Sequence, residues 1–382
     1  MAKEQDGDRS RVEAELADLK KSAGQFKKLD DLRDGSWFSD LLRSAMRTYA
    51  KKVSWEYFER EYPGLPRDAI ADRCVDLAKR YAMIEGGITA SAYTGALAAT
   101  IGSGGGASPL TVPAAFTCFT VDLLYLTHLQ LRLAYDLSVI YRHPIELDDP
   151  EDCYDLLRVA FGIKAGEALR QAVGKVVPEA TRQGVKAVAK GTVLAWLKAL
   201  PVVGKYLLQR NIIKFAIPAV GIPLSMGLNR WTTGKVGTQA RSIYRDRLTA
   251  KQYAATKVAG TGLPYDLLIG TAWFVSNADG EIAAEEAWLL AALTAEIRSR
   301  PGTEDLLAGF GEAVAFDKEG YLVKVRALPK PLKDEVFDFA CEVAAVDREL
   351  HALEWEALGA LASACETEVR KRDIEKRIAR AR

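Results

Sequence analysis

From Gly86 to Val121 the chain carries no charged residue; Glu85 is the last charge before this stretch and Asp122 the first after it. So long a charge-free run must be hidden from water in a core or in lipid. Its middle is broken by Gly102-Ser-Gly-Gly-Gly-Ala-Ser-Pro109, flanked by apolar segments from Ile88 to Ile101 and from Leu110 to Val121. Each flank is shorter than the ~20 residues a helix needs to cross a bilayer. The pattern predicts a pair of short helices joined by a glycine turn. Such a hairpin either packs into a protein core or dips partway into a lipid leaflet.

The remaining chain reads as helix throughout. Val12, Leu16 and Leu19 recur at helical spacing, as do Trp37, Leu41, Leu42 and Met46,. Pro63-Gly64-Leu65-Pro66 ends that region, and Asp68 is placed to begin a helix running into the charge-free stretch,. After Asp122, apolar residues from Leu123 to Ile140 predict a long, mostly buried helix that ends before Pro144,. Asp148-Asp149-Pro150-Glu151-Asp152 has the composition of a helix start. No period-two run of useful length occurs, so the expected fold class is all-α. The expected organisation is a charged helical region over 1–62, an apolar and basic helical domain over 63–260, an acidic helical domain over 263–366 and a basic tail over 367–382.

The net charge of +1 conceals an asymmetry. Residues 161–260 hold 17 Lys/Arg against 3 Asp/Glu, whereas 263–366 hold 8 against 20. Blocks of opposite sign imply different partners, or an attraction that docks one block on the other. In the basic block the cations alternate with apolar side chains, which suits an anionic lipid surface better than nucleic acid. The residues expected to serve there are Lys175, Arg182, Lys186, Lys190 and Lys198. The bland alternative is a solvated face over a core.

In the acidic block a motif repeats. Asp279-Gly-Glu-Ile-Ala-Ala-Glu-Glu286 returns 68 positions later as Asp347-Arg-Glu-Leu-His-Ala-Leu-Glu354. Two related helix pairs would bring Asp279, Glu286, Asp347 and Glu354 to one site. Carboxylates held close raise one another's pKa, so such a cluster needs a cation or a basic partner to offset it. Oxygen ligands of this kind favour Ca²⁺ or Mg²⁺. An EF-hand template fails over 275–286, because Val275 stands where the first Asp ligand belongs. The bland reading of Asp279-Gly280 is a helix stop followed by acids at the next helix start.

Catalytic signals are sparse. The three histidines, His128, His143 and His351, form no HExxH arrangement, and there is no GxSxG elbow,. Gly102-Ser-Gly104-Gly-Gly-Ala107 imitates a dinucleotide fingerprint but follows a helical pattern rather than a strand. Five scattered cysteines without metal spacing point to reduced thiols in a cytosolic compartment, and no apolar leader opens the sequence,.

Two resemblances add to this reading. Over about 65–250 the chain resembles the EcsC family. The features that carry it are Gly86-Gly87, Gly95, Pro113, Asp122, Gln130, Tyr141, the Asp149-Pro150-Glu151 start, and Ile217-Pro-Ala-Val-Gly221 followed by Asn229. It departs from the family at Tyr141-Arg-His-Pro, where the family usually continues Tyr-Gly. Over about 263–366 it looks like the tellurite-resistance TerB-like helical module, through Ala278-Asp279-Gly280-Glu281-Ile282…Glu286 and the echo at Asp347…Glu354, where Arg348 replaces the glycine. The first resemblance implies a helical, membrane-associated protein. The second implies a small bundle whose acidic site holds a divalent metal or a partner. Together they lead to the expectation of a stress-response or interaction protein at the cytosolic face of a membrane. The alternatives are a metal-dependent enzyme acting on lipid or phosphate, and a soluble scaffold.

Overall fold

The computed structural model describes residues 2–23, 26, 30–33, 37–38, 46–147, 150–161, 207, 221–278, 282–303 and 317–381. Among them there are fourteen helices and no strand, so the chain is all-α. The described residues fall into two compact units, one up to Tyr244 and one from Arg245 onward.

The first unit holds α1 (Ala2–Ala23), the short α2 (Asp30–Arg33), α3 (Arg47–Ala50) and α4 (Trp55–Glu61), and then α5 (Arg67–Gly102), α6 (Ser108–Ile140) and α7 (Pro150–Phe161). It also takes α8 (Gly221–Gly260) as far as Tyr244. Helices α5 and α6 pack against each other over much of their length, and α1 packs on both. Pro66 ends the preceding loop in an extended conformation and starts α5,. At the far end Gly104 and Gly105 take φ of +59° and +90°, which ends α5 where an L side chain would be strained,. Ser103 Oγ accepts the Ala107 N–H, and Pro109 opens α6 within its first turn, where a missing N–H costs nothing,. Toward its C-terminus α6 is the core helix of the unit. From Phe119 to Leu131 every side chain is buried, and Leu131, Leu137 and Ile140 are wholly so.

Close approach of α8 to α5 rests on glycine. A Cβ on Gly237 would lie 2.8 Å from the Val75 methyls, and one on Gly86 would lie 2.8 Å from Asn229 Nδ2 and 2.9 Å from the Ser225 carbonyl. At the other end of α5, Tyr141 donates to Asp68 (2.6 Å), Arg241 donates to Tyr141, and the Arg241 guanidinium pairs with Asp68 and Asp72.

The second unit takes the end of α8 and adds α9 (Tyr265–Ser276), α10 (Ala284–Arg298), α11 (Lys318–Arg326), α12 (Lys330–Val343), α13 (Ala352–Ala364) and α14 (Lys371–Ala381). Its core comprises Leu268, Val275, Leu293, Ile297, Val336, Phe339, Leu358 and Leu361, sealed at the end of the chain by Ile374 and Ile378. The sequence repeat is a structural one. Helix α10 starts at Ala284 and α13 at Ala352, the same 68-residue offset as the motif. Arg348, which stands at the position of Gly280, adopts φ +68° and pairs with Asp246. Arg348 thus takes a left-handed backbone that a glycine would favour, with its side chain engaged in an ion pair.

Candidate functional site

Two places in the molecule depart from the ordinary arrangement of apolar side chains inside and polar ones outside. The first is the distal part of the α5–α6 hairpin. Between Ser91 and Thr117 no described side chain is buried. Ile101 is 79% exposed, Leu110 80% and Val112 60%. At 1.5 Å per residue, α5 from Ser91 to Gly102 rises ~18 Å, about the depth of one hydrocarbon leaflet.

The polar groups on this arm bond back to it. Ser91 donates to the Gly87 carbonyl (2.6 Å), Thr100 to Ala96 (3.0 Å), Thr111 to Ala107 (3.0 Å), Thr117 to Pro113 (2.9 Å) and Thr120 to Phe116 (3.0 Å). The Thr100 and Thr111 hydroxyls also meet across the hairpin, where one can donate to the other in place of its own carbonyl,. A hydroxyl bound to the carbonyl one turn back asks nothing of solvent, which is how such side chains are accommodated in lipid. One helix among the described residues, α6, is long and apolar enough to cross a membrane, although half of its most apolar part is buried in the protein.

The base of the arm is polar and closed. Glu85 and Asp122, the two charges that bracket the charge-free stretch, are both fully buried. Asn229 of α8 lies between them, with Nδ2 donating to Glu85 Oε2 (2.7 Å) and Asp122 Oδ1 (3.3 Å). Thr89 donates to the Glu85 carbonyl (3.0 Å) and to Asp122 Oδ1 (3.4 Å). Two carboxyls buried together are tolerable only when held by donors in this way. Gly86, Asp122 and Asn229 all carried the first resemblance in the sequence, and they meet at this point. The bracketing charges were visible in the sequence; the amide that joins them was not, because it lies more than a hundred residues downstream of Asp122.

The second place is in the C-terminal unit. Glu286 and Glu354 occupy the same position in the first turns of α10 and α13. Each accepts a backbone N–H from the residue that begins its helix, Ala283 (2.9 Å) and His351 (2.8 Å) respectively. Both are buried, at 3% and 4% exposure, and their carboxyls lie side by side. Burial pushes both above the ordinary carboxylate range, Glu354 to about 8, and the nearby Asp347 adds to it,. The Ser276 hydroxyl and the Glu354 carboxyl lie beside Glu286, and hydrogen bonding to them partly offsets the effect of its burial,.

The expected metal set is thus described for three of its members. Glu286 and Glu354 meet, Asp347 lies near enough to act on both, and Asp279 lies outside the described residues. Among the described residues no group of three or more His, Cys, Asp or Glu side chains is arranged to hold a metal ion. Lys175, Arg182, Lys186, Lys190 and Lys198 lie outside the described residues. His128 is a buried core residue of α6, as its position in the apolar run implied. Comparison with protein-family models, with curated proteins and with solved structures gives no match.

Proposed function

We propose that the protein attaches peripherally to a membrane by inserting the tip of the α5–α6 hairpin into one leaflet. The observation that carries this reading is an exposed helical arm with no charge from Gly86 to Val121, its hydroxyls bonded back to their own helices. In water that arm is costly, since Ile101, Leu110 and Val112 gain nothing from exposure. In an acyl environment the same side chains are favourable, and the hydroxyls of Ser91, Thr111 and Thr117 carry their own hydrogen bonds with them,. The five cysteines are free, four of them buried and Cys118 half-buried, which fits a reducing compartment and so the cytosolic face,. The resemblance to the EcsC family, proposed from the residues quoted above, leads in the same direction. Co-sedimentation of the full chain with phosphatidylcholine vesicles tests the reading. Wild-type protein should pellet with the vesicles, and Ile101→Asp with Leu110→Asp should remain in the supernatant.

The C-terminal unit supports a second role, as a TerB-like module whose paired glutamates take a divalent cation or a basic partner. What favours it is that Glu286 and Glu354 are buried side by side with Asp347 near enough to act on both. Calorimetry with Ca²⁺ and Mg²⁺ tests it. Heat that disappears in Glu286→Gln and Asp279→Asn supports a cation site; no heat with either ion in the wild type overturns it.

A further inference from the structure

Helix α8 runs antiparallel to α5, and its register is set by close contacts. Gly237 faces Val75, Gly234 faces Lys79, Arg230 Nη1 lies 3.9 Å from Met83 Sδ, Asn229 binds Glu85, and Gly87 faces Met226. The outward face of α8 can therefore be read level by level against the arm. Leu224, Gly227, Trp231 and Lys235 recur at helical spacing and are all exposed, Trp231 at 61%. On the arm side of Asn229 this stripe is apolar. On the other side it begins with Trp231 and passes to cations, with Lys235 Nζ 5.9 Å from the indole centre.

The change from apolar to charged thus falls at one level on three helices: at Glu85 on α5, at Asp122 on α6 and at Arg230 on α8. The cations along α5 and α8 are not all equal. Lys79 pairs with Asp76, Arg80 with Asp8, and Arg241 with Asp68 and Asp72. Arg230 and Lys235 are exposed and have no acidic partner among the described residues. Tryptophan with lysine and arginine at the edge of an apolar segment is the composition of a membrane–water interface. Two unneutralised cations beside it are placed to meet lipid phosphate.

We infer that Arg230, Trp231 and Lys235 form a headgroup-binding collar at the base of the inserted hairpin, selective for anionic lipid. The inference rests on the hairpin reading above and adds the lipid class and the depth at which insertion stops. Below Asn229 the buried Glu85 and Asp122 and the charged face of α8 hold the body of the unit in the aqueous phase. Lipid phosphate would lie beside the Arg230 guanidinium and the Lys235 ammonium, with the Trp231 ring among the upper acyl carbons.

The test uses the full chain, vesicles of phosphatidylcholine alone and vesicles of phosphatidylcholine with phosphatidylserine, at low salt. Wild-type protein should bind the mixed vesicles at least about tenfold more tightly. Arg230→Gln with Lys235→Gln should lose most of that increment. Both residues are exposed, so an unchanged melting temperature is expected and serves as the control for folding. Emission that is lost on Trp231→Phe should be quenched by bromine placed high on the acyl chains. If the double variant keeps the full increment, or if the wild type shows none, the collar is overturned while hairpin insertion stands. If the Trp231 emission is not quenched by brominated lipid, the collar is likewise overturned. If the wild type binds neither vesicle, hairpin insertion fails and the collar fails with it.

Discussion

The hairpin arm and the C-terminal bundle are built from similar residues in opposite senses. In the bundle, Leu, Val and Phe side chains face one another and the outside is charged; the acids that do go inside, Glu286 and Glu354, are each tied to a backbone N–H. In the arm, Ile101, Leu110 and Val112 face outward, and Ser and Thr hydroxyls turn back onto the helix. Each arrangement is stable in a different solvent. The bundle gains from water outside it. The arm gains only when the surroundings are as apolar as its own surface.

The largest effects should separate the two regions completely. Ile101→Asp with Leu110→Asp places two carboxylates where acyl chains are expected, and vesicle affinity should fall more than about a hundredfold. The same double change should leave the melting temperature unaltered, because both sites are exposed. Phe339→Ala in the bundle core should do the reverse, lowering stability by about 3–5 kcal/mol in denaturant titration while vesicle affinity is unchanged. If either change moves both readouts, the division of labour between arm and bundle is wrong.

At the base of the arm the two designs meet within a few residues. Asn229→Ala leaves the buried Glu85 and Asp122 carboxyls without their shared amide, so thermal unfolding should show a loss on the order of 2–4 kcal/mol. Gly86→Ala should cost about 1–3 kcal/mol, since the new methyl would press on Asn229 and on the Ser225 carbonyl of α8, backbone that cannot easily give way.

The smallest effect concerns the paired glutamates. Because burial raises their pKa in the folded state, they retain protons that the unfolded chain releases. Their contribution is therefore fully present below the ordinary glutamate pKa and is lost as pH rises through about 8 for Glu354,. Glu354→Gln keeps an oxygen for the His351 N–H and removes the titration. It should raise stability by on the order of 1–2 kcal/mol at pH 8 and by little at pH 5. A variant less stable than wild type at pH 8 would contradict the account of this pair.

Much of the fold was legible in the sequence because periodicity and breakers act locally. The glycine turn and the 68-residue repeat follow from residue order, whereas the short helices expected on either side of the turn are the ends of the long helices α5 and α6, which run unbroken through Glu85 and Asp122. The turn at Arg348 was visible only as a missing glycine; its left-handed backbone and its ion pair with Asp246, far away in sequence, were not. The direction in which the hairpin's side chains point was not legible at all. An uncharged helix reads the same whether it is wrapped in protein or bare, since no polar face marks one side. For the same reason the exposure of Ile101 and Leu110 is read only from the structure. The site at Glu286 and Glu354 was half legible. The repeat paired them, but their burial and the neighbouring Ser276 hydroxyl belong to tertiary packing.

The central claim is that Leu110 at the tip of the arm enters the bilayer. Cys118 is the one cysteine not buried, so Cys118→Ala with Leu110→Cys gives a single reactive thiol at the tip for a nitroxide label. Electron paramagnetic resonance then compares the label's exposure to oxygen, which concentrates in acyl chains, with its exposure to a water-soluble nickel chelate. Insertion predicts that adding phosphatidylcholine vesicles reverses the order, from chelate-accessible in buffer to oxygen-accessible with lipid. A label that stays equally open to the nickel chelate in excess vesicles would contradict it.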